Sequence, residues 1–184
     1  MENKKYELVM DDTVLFAART LYRIRALRDI PGIAKAGDLG GYIESELNLS
    51  HQGNAWVGGN ARVYRNARVC GDAWVGGDAW VCGDAQICGD AWVCGDAWVD
   101  GDARVYGRNH ILVVGPIGSR GDYTTFFRDS VGYITVKCGC FLGNLDDFLE
   151  KVEKTHGNNK YGKVYRLAVE LAKTQILGDE EDDQ

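Results

Sequence analysis

From Gly53 to Val105 the hydrophobic positions recur every six residues. Val57, Val63, Val69, Val75, Val81, Ile87, Val93, Val99 and Val105 hold the aliphatic position, and an Ala stands two places before each of them. On an extended chain residues two apart share one side, so Ala and the aliphatic residue point together and the residue between them points away. The Gly-Asp or Gly-Asn pair that opens most of these hexads supplies a tight turn. The pattern predicts very short strands joined at corners, the hexapeptide form of a β-helix. Degenerate hexads extend it upstream through Ile43 and Leu49. Leu49 and Val57 are eight apart, which predicts a two-residue insertion at the corner holding Ser50-His51-Gln52.

The phrase Gly-Asp/Asn-Ala-Trp/Arg-Val-X resembles the hexapeptide-repeat proteins. That resemblance implies left-handed parallel β-helices of triangular section, with three hexads per coil, commonly assembled as trimers. The expected fold is mainly β: a left-handed parallel β-helix with an N-terminal β cap and a small C-terminal α+β module.

With three hexads per coil, outward residues eighteen apart stack in columns. One column is Trp56, Trp74, Trp92 and then His110; the second is Arg62, Trp80, Trp98; the third is Arg68, Gln86, Arg104. A covered Trp buries on the order of 150–250 Å², worth several kcal/mol at roughly 25 cal/mol per Å². Two aromatic faces meeting at a corner of small residues, Gly58-Gly59, Gly76-Gly77 and Cys94-Gly95, suit close approach around a threefold axis. We therefore expect a homotrimer whose interface includes Trp56, Trp74, Trp92, Trp80, Trp98, Gly58 and Gly76. A sugar- or base-stacking surface, or cover by the C-terminal helices, are the other readings of these Trp residues. The columns of Asn and Asp at the turns read as residues bonding their own backbone.

The flanks divide the chain further. Residues 1–38 show short alternating runs, Lys5–Met10, Thr13–Phe16 and Thr20–Leu27, expected to cap the first coil, whose strand edges would otherwise be open. The β-helix spans 39–114 and a C-terminal α+β module 115–177. In that module Tyr123–Phe127 and Tyr133–Cys138 read as strands. Asn144 reads as the N-cap of a helix ending at Gly157, and a second helix runs from about Asn159 to Ile176 with Tyr161, Val164, Tyr165, Ala168, Leu171 and Ala172 on one face. Residues 178–184 read as an acidic disordered tail.

A formal charge of −6 argues against nucleic acid as a partner. No signal-peptide or membrane-spanning run is visible, so a cytoplasmic location, the host cytoplasm if phage-encoded, is expected. In that compartment Cys70 and Cys88, which stack across one coil and are close enough for a disulfide in principle, are expected to be free thiols. Cys138, Cys140 and His156 lack the spacing of a zinc site, and neither a metal nor another cofactor is expected.

The most site-like stretch is Gly115–Thr125. Its glycines free backbone N–H groups, Arg120 offers a planar fork, and Thr124 and Thr125 add hydroxyls, a set suited to phosphate or carboxylate. A glycine-rich interdomain linker looks similar. The candidate ligand-binding residues are Gly118, Ser119, Arg120, Thr124, Thr125, Phe141, His156, Asn159 and Tyr161, with no catalytic residue assigned.

The layout of Tyr22–Arg28, Gly37–Ile43, the hexads, Tyr123–Phe126 and Cys140–Gly143 is similar to small hexapeptide-repeat proteins of phages and prophages, which implies an accessory or counter-defence role. Three functions follow. The favoured one is a non-enzymatic homotrimer sequestering a small anionic, nucleotide-derived ligand. A second is a structural or inhibitory trimer that meets a host protein with its Arg68-Gln86-Arg104 face. The third is an acyl-CoA-dependent acyltransferase using His51 or His110 as base.

Overall fold

The computed structural model describes residues 4–178; the acidic run expected at 178–184 lies, apart from Gly178, outside them. Each hexad folds into a two-residue strand. After β1 (Tyr6–Phe16), β2 (Arg19–Ala26) and β3 (Leu39–Ile43) come Trp56–Val57 (β4), Arg62–Val63 (β5), Arg68–Val69 (β6), Trp74–Val75 (β7), Trp80–Val81 (β8), Gln86–Ile87 (β9), Trp92–Val93 (β10), Trp98–Val99 (β11) and Arg104–Val105 (β12). Parallel ladders stack Trp56 on Trp74 on Trp92, Arg62 on Trp80 on Trp98, and Arg68 on Gln86 on Arg104, so the three columns are real. They make a β-solenoid of about 4 turns. Below the insertion the offset changes as expected, with Ile43 opposite Val63 and Leu49 opposite Val69. The Ala and aliphatic positions fill the core from Ala55 to Val105. The turn Asx residues differ from expectation: Asn54, Asn60 and Asn66 donate across coils to Asp72, Asp78 and Asp84 at 2.9, 3.2 and 2.9 Å.

A solenoid coil gives each backbone N–H to the carbonyl of the coil above it, so the bottom coil has orphan carbonyls and the top coil orphan N–H groups. At the bottom, the Ala55 carbonyl accepts from Lys5 Nζ (2.5 Å), Ala61 from Tyr42 N (2.8 Å) and Ala67 from Asn48 Nδ2 (2.8 Å). The corner carbonyls of Gly53, Gly59 and Arg65 accept from Arg28, Arg23 and Asn48. These bonds, with the Arg19–Glu44, Arg23–Asp12 and Arg25–Glu7 ion pairs, account for the basic N-terminal segment. The β1–β2 hairpin caps this end and extends one solenoid face, giving the sheet order β1-β2-β3-β5-β8-β11.

The C-terminal module covers the other end. Strands β13 (Ile111–Ile117), β14 (Asp122–Arg128), β15 (Ile134–Cys138) and β16 (Phe141–Asn144) form an antiparallel sheet in that order, followed by α1 (Leu145–His156) and α2 (Lys160–Leu177). The boundary expected at 114 thus falls inside β13. Alternation sends Ile111 and Phe127 into the solenoid core, and Phe126, Ile134 and Val136 against the helices. Asn144 caps α1 by accepting from Asp147 N, and Asn159 caps α2 by accepting from Tyr161 N and Gly162 N. The buried face of α2 is rotated from expectation. Gly162, Tyr165, Ala168, Val169, Ala172 and Ile176 are buried, while Val164 and Leu171 are exposed, because the small residues permit the closest approach to the sheet.

Cys70 and Cys88 are joined in a disulfide rather than free, their Cα atoms brought to 4.6 Å by stacking on adjacent coils.

Candidate functional site

Two turns and two helices enclose a cleft of about 290 Å³ on the helix side of the C-terminal sheet. The β13–β14 turn contributes Ser119 and Arg120, and the β15–β16 turn contributes Cys138, Cys140 and Phe141. One face of α1 supplies Phe148, Lys151, Val152, Thr155 and His156, and α2 supplies Tyr165. Gly118, at φ +73°, lets the turn pass so close to Tyr165 that a Cβ there would overlap the phenol hydroxyl. Phe148 forms the aromatic floor, with ring centres 5.4 Å from Phe141 and 5.5 Å from Tyr165. The His156 ring lies 5.8 Å from that of Tyr165.

The lining carries three potential cations, Arg120, Lys151 and His156, and, among the described residues, no carboxylate. Lys151 Nζ sits 5.4 Å from the Phe141 ring centre. Arg120 pairs with Asp122 at 3.4 Å, in an exposed pair of little energetic weight. Burial, then the neighbouring Cys138, pushes the Tyr165 hydroxyl up to about 12, with Arg120 opposing, so the phenol stays a neutral donor at physiological pH.

Of the candidate residues, Ser119, Arg120, Phe141 and His156 line this cleft and Gly118 shapes it. Thr124 is buried behind it, donating to Cys138 Sγ at 3.3 Å. Thr125 faces the solenoid and accepts from Trp98 N at 3.0 Å, satisfying an orphan donor of the last coil. Asn159 is occupied as the α2 cap, and Tyr161 stands outside the lining, 5.8 Å from His156 by ring centres. Lys151, Thr155 and Tyr165 were missed, although the spacing of Phe148, Lys151, Val152 and Thr155 places them on one helical face. Among the described residues no three His, Cys, Asp or Glu side chains converge to hold a metal.

The Trp faces are more covered within the chain than expected. Trp56 is 3% exposed and belongs to the main core. Gly58 and Gly76 are buried, with Trp74 Nε1 lying over the corner they form. Phe16 packs edge-on against Trp80 at 4.6 Å. Trp92 remains 43% exposed beside a half-buried Trp74. The two histidines considered as bases hold the solenoid ends. His51 stacks on Tyr6 at 4.3 Å and accepts from Lys5 N, and His110 accepts from Tyr106 N at 3.2 Å. No helix among the described residues is long and apolar enough to cross a membrane.

Comparison with characterised proteins finds no match to the chain. A family model described as YdcK beta solenoid repeat matches residues 55–71. That match, repeated in period by the coils above it and joined to three in-register parallel ladders, makes this chain a repeat-type β-helix protein.

Proposed function

We propose that this is a non-enzymatic binding protein that holds a small anionic, nucleotide-derived ligand in the C-terminal cleft, with the β-solenoid as its rigid support. The observation that carries the reading is a cleft lined by Arg120, Lys151 and His156, without a carboxylate among the described residues, over the rings of Phe141, Phe148 and Tyr165. Cations and a neutral phenol suit phosphate oxygens, and an aromatic floor suits a base. A volume of about 290 Å³ lies at the low end for ligand pockets and selects a compact molecule. The structural engagement of His51 and His110 favours binding over acyl transfer. Sequestration of a nucleotide immune signal, in keeping with the phage-like layout, and assembly as a homotrimer through the Trp74–Trp92 face belong to the same proposal.

Native mass spectrometry of the purified protein, with mass analysis of anything released, reads both stoichiometry and ligand. Titration with AMP, cyclic AMP and ADP-ribose should then give saturable binding by at least one, weakened at least about tenfold in Arg120→Ala and in Lys151→Ala. Wild-type affinity in both variants would sink the assignment.

A further inference from the structure

A second cavity, of about 470 Å³, lies on the opposite side of the C-terminal sheet, between it and the Trp80–Trp98 column. Lys137, on β15, lines it and is only 7% exposed. Its ammonium lies 3.7 Å from the Trp98 ring centre and, among the described residues, reaches no hydrogen-bond acceptor and no carboxylate. Arg62, from the first coil, lies over Phe16 at 4.9 Å and Trp80 at 5.8 Å, and its Nε is also buried without a partner. Trp98 Nε1 is a second buried donor without an acceptor. An ammonium largely covered by protein and compensated only by an aromatic face favours an anionic neighbour. An ammonium lying on an indole face, on residues lining one cavity, calls for an occupant that supplies an acceptor and an apolar ring.

The rim limits what that occupant can be. Asp78, Asp96 and Asp122 are exposed carboxylates lining the same cavity. Asp78 accepts from Asn60 and Asp122 faces Arg120, and none of the three bonds Lys137 or Arg62. A bare anion would face three negative charges, and a neutral sugar would leave the ammonium uncompensated. A ring bearing both hydroxyls and one anionic group satisfies both, with hydroxyls donating to the carboxylates and the ring lying against indole.

We infer that the cavity between the Trp80–Trp98 face and β15 is a binding site for an acidic sugar, a pyranose carrying a carboxylate or a phosphate. The anionic group accepts from Lys137 and Arg62, and ring hydroxyls donate to Asp78 and Asp96. The site is separate from the C-terminal cleft, and the Arg120–Asp122 pair marks their boundary, Arg120 lining one and Asp122 the other.

The full chain is titrated with D-glucuronate, D-glucose 6-phosphate, D-glucose and inorganic phosphate, followed by Trp fluorescence and calorimetry. Saturable binding of glucuronate or glucose 6-phosphate is expected, the stronger of the two telling carboxylate from phosphate. D-Glucose and inorganic phosphate should bind at least about tenfold more weakly. Lys137→Met should lose about tenfold or more in affinity while Lys151→Met, in the other cleft, keeps it. Asp96→Asn, an exposed change that leaves the coil intact, should also weaken binding, and it carries the test if Lys137→Met does not fold. The inference is overturned if neither acidic sugar saturates at millimolar concentration or if inorganic phosphate binds as well as they do. It is equally overturned if Asp96→Asn and a folded Lys137→Met bind like wild type, or if the loss appears in Lys151→Met instead.

Discussion

Gly77 and Gly95 hold the same place in successive coils and the same backbone angle, φ +66° in each. They differ in what lies above. A Cβ on Gly77 would stand 2.8 Å from Gly95 N and 3.0 Å from Gly95 O, whereas one on Gly95 meets nothing within 4 Å. Gly77→Ala and Gly95→Ala therefore separate backbone strain from coil-to-coil contact. The left-handed angle costs an L-residue about 1–2 kcal/mol, offset by roughly 0.4–1 kcal/mol from the less flexible unfolded chain. Gly95→Ala should accordingly destabilise by roughly 0–1.6 kcal/mol. Gly77→Ala adds forced separation of two backbones that also share the Asp78 N to Gly95 O bond of 3.0 Å. With overpacking adding roughly 1–3 kcal/mol, its total reaches about 1–5 kcal/mol. Urea unfolding followed by far-ultraviolet circular dichroism and Trp fluorescence measures both, provided the slopes match wild type. Equal losses in the two variants, or a larger loss at Gly95, would refute the assignment of the cost to stacking.

Asn48 accepts from Ser45 N and donates to the Arg65 and Ala67 carbonyls at 3.0 and 2.8 Å, so Asn48→Ala should cost about 3 kcal/mol in a thermal melt. Lys5 is fully buried, and burial, then Arg28, lowers its pKa from 10.5 to about 8. The native state thus holds this proton more weakly than the unfolded chain. The penalty is present in full below pH 8 and is relieved as pH rises from 8 to 10.5. The stability of Lys5→Met relative to wild type should fall across that window by up to roughly 3 kcal/mol, read from urea curves at successive pH values. For the thiols, an Ellman titration of native protein at pH 8 should see exposed Cys94 and Cys140 react fast and buried Cys82, its thiol pushed up to about 11 chiefly by burial, not at all. Cys70 and Cys88 should appear only after reduction.

The six-residue period by itself determined the β-helix, the three columns, the corner insertion and the residues of the core, because short-range alternation and turn chemistry repeat without interruption from Gly53 to Val105. Asn144 and Asn159 likewise marked both helix starts through local capping. What the period could not show was how the chain closes its own ends. Lys5, Asn48 and Thr125 meet orphan backbone groups because distant segments return to the first and last coils, and nothing in their neighbours along the chain signals it. The same return placed Phe16 on Trp80 and brought Ile30 and Ala34 into one core with Trp56, covering faces that the hexads alone leave open. Stacking at 4.6 Å, rather than any expected compartment, set the Cys70–Cys88 bond. Only tertiary structure joined Arg120 to Lys151 and Tyr165, since a turn and two helices meet through the order of the sheet between them.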